Sequence, residues 1–277
     1  MKRTNVIFAA SLIVFAAAFA ACQKNETIDP EFDYIQDDDE VSALYDDVEN
    51  EADEVTATSE TQVTSKSSAD FAVLSDSGSR TVETTFSGDT TIRTITFENF
   101  INGISENGHI KNGTIIVKTL GSPLQTQFEK IITHQNFSIN GILIEGERVV
   151  TKTADYEYSV VLTGGKVTLT DGTIYTREFT HTRTWVSGFD TPLFIWDDIY
   201  TVEGTAYGTN RKGYAYTHTI HDPLVIKNSC RWIVEGSIEL IANEETAVLD
   251  YGLGECDNLA TITKDGNIIE IALKGKR

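Results

Sequence analysis

From Arg80 onward, apolar and polar residues alternate. Tyr156, Tyr158, Val160 and Leu162 share one side of an extended run, and Cys230, Trp232, Val234, Ile238 and Leu240 share one side of another, because successive strand side chains point to opposite faces. Asn140-Gly141, Gly164-Gly165, Asp171-Gly172 and Asp265-Gly266 punctuate the alternation. Such pairs tolerate the positive φ that tight hairpin turns require. The pattern predicts a mainly β domain over residues 80–277, an antiparallel meander of hairpins forming a curved sheet, a sandwich or a partly closed barrel. Alternation fixes which residues face inward but leaves the curl of the sheet open.

One repeat lies within this region. Phe97-Glu98-Asn99-Phe100-Ile101-Asn102-Gly103-Ile104 parallels Asn136-Phe137-Ser138-Ile139-Asn140-Gly141-Ile142. Two copies fall short of a solenoid, so they predict two related hairpins in one sheet.

A different period governs the chain before residue 80. Val41, Leu44, Tyr45, Val48, Ala52 and Val55 recur at spacings of three and four, which predicts a short amphipathic helix, with Asp37, Asp38 and Asp39 suited to its N-terminus. Charge separates the two regions. Residues 23–79 hold 17 acidic and 2 basic residues, against 25 and 18 in residues 80–277. Residues 22–79 therefore read as an acidic tether carrying the helix, whose acidic face is expected in solvent. A Ca²⁺ site is disfavoured because no glycine-centred loop with alternating oxygen ligands is present.

Still earlier, Lys2 and Arg3 precede an apolar run from Val6 to Ala21, interrupted by Ser11. A basic start, a short apolar middle and a small-residue exit predict a signal peptide over residues 1–21. Phe19-Ala20-Ala21-Cys22 resembles a bacterial lipobox. The resemblance implies cleavage before Cys22 and acylation of its sulfur, with several chains giving stable anchoring where one would be marginal. The expected partner is thus a membrane, reached through an N-terminal lipid. Gln23-Lys24-Asn25-Glu26 resembles the export signal of surface-exposed lipoproteins of Bacteroidota, so the expected location is the outer membrane, and the resemblance implies display on its outer surface.

Composition narrows the function. The 277 residues carry 42 acidic and 22 basic side chains, a net charge of −20, which excludes a nucleic-acid partner because phosphate contact needs clustered Lys and Arg. The 36 Thr, with 4 Pro and 1 Met, support strands over helices.

The segments NFSINGILIEGERVVT (136–151), TRTWVSGFDTPLFIWDD (182–198), GTNRKG (208–213), PLVIKNSCRWIVEGSIEL (223–240) and LDYGLGECDNLATI (249–262) resemble a family of uncharacterised Bacteroidota cell-envelope lipoproteins. The likeness implies a secreted, lipid-anchored, β-rich domain and assigns no activity.

With Cys22 acylated, Cys230 and Cys256 remain, and an oxidising compartment predicts a structural disulfide between them. The five His lack metal-ligand spacing, and no nucleophile elbow, zinc-protease helix or phosphate loop occurs. No catalytic residue, metal or cofactor is expected. Glu145 and Glu147 could flank a glycosidic bond, but on an alternating strand they more often form a polar face. Tyr175, Arg177, Phe179, His181, Arg183 and Trp185 share one face, an aromatic and guanidinium ladder suited to internal cation–π packing or to a planar ligand. Trp185, Trp196, Asp197 and Asp198, with Arg183, combine rings and carboxylates as a carbohydrate platform does. The expected role is non-enzymatic, structural or binding, with a glycan or an envelope protein as partner. The alternatives are a glycan-binding module, a carrier of an apolar ligand inside the curved sheet, and, last, a hydrolase.

Overall fold

The computed structural model describes residues 33–62, 71–74, 78–101, 109–192 and 194–275. The signal run and Cys22 lie outside them. Among the described residues, one helix, α1 (Asp33–Gln62), precedes fourteen strands: β1 (Phe71–Leu74), β2 (Ser79–Ser87), β3 (Thr90–Ile101), β4 (Ile110–Leu120), β5 (Glu129–Ile139), β6 (Ile142–Ala154) and β7 (Glu157–Thr168) come first. The second half is β8 (Ile174–Ser187), β9 (Ile199–Thr209), β10 (Ala215–Lys227), β11 (Glu235–Ala242), β12 (Glu245–Leu253), β13 (Leu259–Lys264) and β14 (Asn267–Ala272). They pair in chain order in a single antiparallel sheet, and β1 does not pair with β14. The meander is therefore one curved sheet, neither a sandwich nor a closed barrel.

Three of the four expected turns form. Asn140 and Gly141 both take positive φ, as do Asp265 and Gly266, closing the β5–β6 and β13–β14 hairpins in the manner of two-residue turns. At Asp171-Gly172, the Asp171 carboxylate accepts from the Thr173 amide at 2.8 Å. Gly164-Gly165 is not a turn. Strand β7 runs through it, and the register with β8 slips between Leu162 and Gly165, a bulge that bends the sheet. Tyr156 lies in the β6–β7 turn, and Cys230 to Val234 precede β11 instead of forming part of it.

The repeat marks a shared bulge. Asn99 and Asn136 both adopt positive φ just before Phe100 and Phe137, and register slips accompany each. Phe97 packs on Phe137 and on Phe100 at centroid distances of 5.5 and 5.8 Å.

The sheet curls around α1. Going round the helix, Glu51 meets Arg80 of β2 and Lys111 of β4 at 2.9 and 2.6 Å. Glu49 meets Lys130 of β5, Arg148 of β6 and Arg183 of β8. Asp38 takes Arg177 of β8 and His218 of β10. Lys264 of β13 lies over the Tyr34 ring at 5.9 Å, and the Lys274 amide after β14 donates to Asp39 at 3.1 Å. Val41, Leu44, Tyr45, Val48, Ala52 and Val55 are buried as their spacing predicts.

The acidic face is not in solvent. Asp37, Asp38, Asp39, Asp47, Glu49 and Glu51 are also buried, so this stretch of the expected tether is instead the centre of the domain. A helix face packed into a core is normally apolar. Here acids of the helix are accommodated because the strands supply Arg80, Lys111, Lys130, Arg148 and Arg177 from buried, inward positions.

Close approach of helix and sheet depends on small residues. The Tyr45 hydroxyl donates to the Glu145 carbonyl at 2.9 Å. A Cβ on Gly165 would stand 2.9 Å from that hydroxyl and 2.1 Å from the Arg177 carbonyl oxygen, so the bulge admits the ring only because position 165 has no side chain.

Candidate functional site

The inward ladder of β8 faces α1. Arg183 donates to both oxygens of Glu49, and Arg177 donates to Asp38, which also takes the Tyr175 hydroxyl at 3.1 Å. Arg148 and Arg183 stack over Phe179 and Tyr200 at 5.2 and 5.1 Å. Burial opposes charge on Asp38 and Glu49, but the adjacent cations outweigh it and hold both carboxyls well below the usual range. His181 stacks on Phe179 at 4.2 Å. Burial and the surrounding arginines push its ionisation far down, so it is neutral.

Two of the spaces beside α1 border the β8 ladder and bear on the site. One, about 50 Å³, lies beside Tyr45, Arg177, His181 and His218. A volume of that order suits one or two water molecules. The other is a cleft of about 110 Å³ beside the C-terminal half of α1. Its walls are aromatic, with Phe128 just before β5, Tyr158 of β7, Trp185 of β8 and Tyr200 of β9, and its charged lining is Asp53, Lys130, Arg183 and Asp198. Pro123 and Pro192, from the β4–β5 and β8–β9 connections, stand at its rim. Phe128 meets Tyr158 edge-on at 5.9 Å, and Trp185 stacks on Tyr200 at 5.9 Å.

Asp198 is the polar centre of this cleft. Trp185 Nε1 donates to its Oδ1 at 3.0 Å and the Tyr200 hydroxyl to its Oδ2 at 2.9 Å. Both donors are neutral. Burial raises its pKa to about 6, against the lowering by those two hydrogen bonds and with the negative charges of Asp53 and Asp197 adding to the rise. Gly188 makes room for it, since a Cβ there would lie 2.2 Å from Oδ1.

The residues singled out as a carbohydrate platform thus divide. Arg183, Trp185 and Asp198 line the cleft. Trp196 and Asp197 do not: they sit on a short 3₁₀ turn, Ile195–Asp197, with Trp196 about half exposed at 48% and Asp197 accepting from Thr191 at 2.7 Å. They part because successive residues of a tight turn cannot project to one place. Glu145 pairs with Lys166 at 2.7 Å on the surface. Cys230 and Cys256 form a disulfide, tying the β10–β11 connection to the β12–β13 connection. Among the described residues, no group of three or more His, Cys, Asp or Glu side chains could hold a metal, and no helix is long and apolar enough to cross a membrane.

Phe128, Lys130 and Asp53 were not singled out in the sequence, and Tyr158 only as one of the residues on one side of a strand. They reach the cleft from β5 and the residue before it, from β7 and from the helix, so no spacing marks them together. The nearest signal is that two of the chain's four prolines stand at the rim. Comparison with protein families, curated proteins and solved structures finds no match to this chain.

Proposed function

We propose that this protein is a cell-envelope lipoprotein, anchored in the outer membrane by acyl groups on Cys22, with a non-enzymatic binding role carried by the aromatic cleft. The anchoring rests on the basic start, apolar run and lipobox-like Phe19-Ala20-Ala21-Cys22, together with the resemblance to Bacteroidota lipoproteins. One observation carries the binding role: an open, aromatic-lined cleft of about 110 Å³ with a buried carboxylate lies beside a helix whose acids are largely held in ion pairs. Concave apolar sites with a few converging polar groups are where ligands usually bind.

A volume of about 110 Å³ is well below the roughly 300–1,000 Å³ that encloses a whole drug-sized ligand. The cleft therefore takes one end-group of a larger molecule, such as a terminal sugar or a side chain of an envelope partner. The interior that a carrier of apolar ligands would need is occupied by α1.

Two measurements test this reading. Cys22→Ala is expected to move the protein from the membrane to the soluble fraction and to remove the acyl mass from its N-terminus. A panel of sugars and small aromatic and charged fragments, screened by the indole Nε1–H resonance of Trp185, is expected to contain binders. A panel with no effect on that resonance would overturn the binding role.

A further inference from the structure

Among the described residues, charge in the interior follows a rule: buried Lys and Arg come from strands, and buried Asp and Glu come from α1, with Asp198 as the exception. The acids that meet these cations are matched at close range, Asp38 by Arg177, Glu49 by Arg148 and Arg183, Glu51 by Lys111 and Asp53 by Lys130. Asp198 has no Lys, Arg or His within ion-pair distance among the described residues, and its two oxygens accept from an indole and a phenol. Two acids line an open space walled by four aromatic rings, Asp53 and Asp198; Asp53 is paired with Lys130, and Asp198 is the one with neutral donors alone. The two cations of that space are already committed, Lys130 to Glu49 and Asp53, and Arg183 to Glu49.

We infer that the cleft binds an organic ammonium group, seated among Phe128, Tyr158, Trp185 and Tyr200, with Asp198 as its counter-ion. The inference rests on the cleft being a binding site and names the chemistry of what it takes. Aromatic faces carry negative electrostatic potential and attract cations, more strongly when the pair is removed from water. A carboxylate with only neutral donors leaves lone pairs and a full charge that an ammonium group offsets. Size agrees. An apolar cavity of roughly 150 Å³ holds benzene, so a cleft of about 110 Å³ accommodates a substituted ammonium head while the rest of the ligand stays outside. A neutral sugar would leave the carboxylate uncompensated. An anion would face it directly.

The test uses choline as the cationic probe and 3,3-dimethyl-1-butanol as its uncharged isostere, titrated into the full-length protein and followed by the Trp185 indole resonance. At pH 8, where Asp198 is ionised, choline is expected to bind about tenfold or more tightly than the isostere. At pH 5, where Asp198 is protonated, that preference is expected to shrink severalfold while isostere affinity holds. Asp198→Asn is expected to abolish the preference at both pH values. Should this variant fail to fold, the pH comparison on the unaltered protein decides. Equal affinity for the two probes at pH 8, or binding of neutral sugars with no response to choline, overturns the ammonium assignment while leaving the cleft a binding site. No response to any probe overturns both.

Discussion

Glu49 and Arg183 stand 134 residues apart in the chain and meet as a two-pronged pair in the interior, Nη1 and Nη2 of the guanidinium each donating to one carboxylate oxygen. Arg148 and Lys130 converge on the same carboxylate. Three strands are thereby keyed to one position on the helix, which fixes how α1 is rotated and seated inside the sheet. Ion pairs buried in this way add little net stability over an apolar core but are costly to break singly.

Replacing Glu49 by Ala therefore leaves three cations with reduced or no compensation in a dry site. The expected loss is on the order of 3–5 kcal/mol, read as a lower urea midpoint. A loss below about 1 kcal/mol would mean that the cluster is solvated and not a determinant of helix seating.

Stability should peak in mildly acidic solution. Asp38 and Glu49 have folded-state ionisations below their unfolded values, so their contribution is present above about pH 4 and is lost as pH falls. Asp39 has the opposite sign: burial foremost, and neighbouring acids, raise it to about 7. Its contribution is full below about pH 4 and is lost as pH rises toward 7. Thermal midpoints measured from pH 3 to 8 are expected to be highest between about 4 and 6 and to fall on both sides.

Asp39→Asn separates these effects. The amide retains an oxygen for the Lys274 backbone N–H and removes the buried charge. The variant is expected to be more stable than the parent at pH 8, by up to a few kcal/mol, and little changed at pH 4. A parallel shift at both pH values would refute the assignment.

Gly165→Ala should cost about 2 kcal/mol or more, because its Cβ would overlap the Arg177 carbonyl and crowd the Tyr45 hydroxyl. Gly172→Ala, in an open turn with nothing near its added Cβ, should cost about 1 kcal/mol from positive φ alone. Calorimetry of the two variants checks the order, and an equal or smaller loss for Gly165→Ala would mean that β7 and β8 do not approach so closely at the bulge.

Removing the disulfide with Cys230→Ala and Cys256→Ala together is expected to lower stability by about 3 kcal/mol on loop-closure grounds. Reductant should then lower the midpoint of the parent and leave that of the variant unchanged.

The order of elements follows from local rules. Alternation in the β4 to β8 region, Asn-Gly and Asp-Gly at the hairpins, and the three-to-four spacing from Val41 to Val55 each act over a few residues, so a linear reading recovers an antiparallel meander preceded by a helix. The two cysteines and the shared inward face of Tyr175 to Trp185 were legible for the same reason. What the acids of the helix do was not. Asp38, Glu49 and Glu51 look like a solvated face because nothing nearby in sequence neutralises them; their partners, Arg177, Arg183, Arg148, Lys111 and Arg80, arrive only when the sheet curls round and brings distant strands to one helix. The same closure decides the site. It sets Trp185 and Asp198 against Phe128 and Tyr158, and turns Trp196 and Asp197 outward, because a cleft between a helix and a sheet is a property of the gap between elements and not of any segment that borders it.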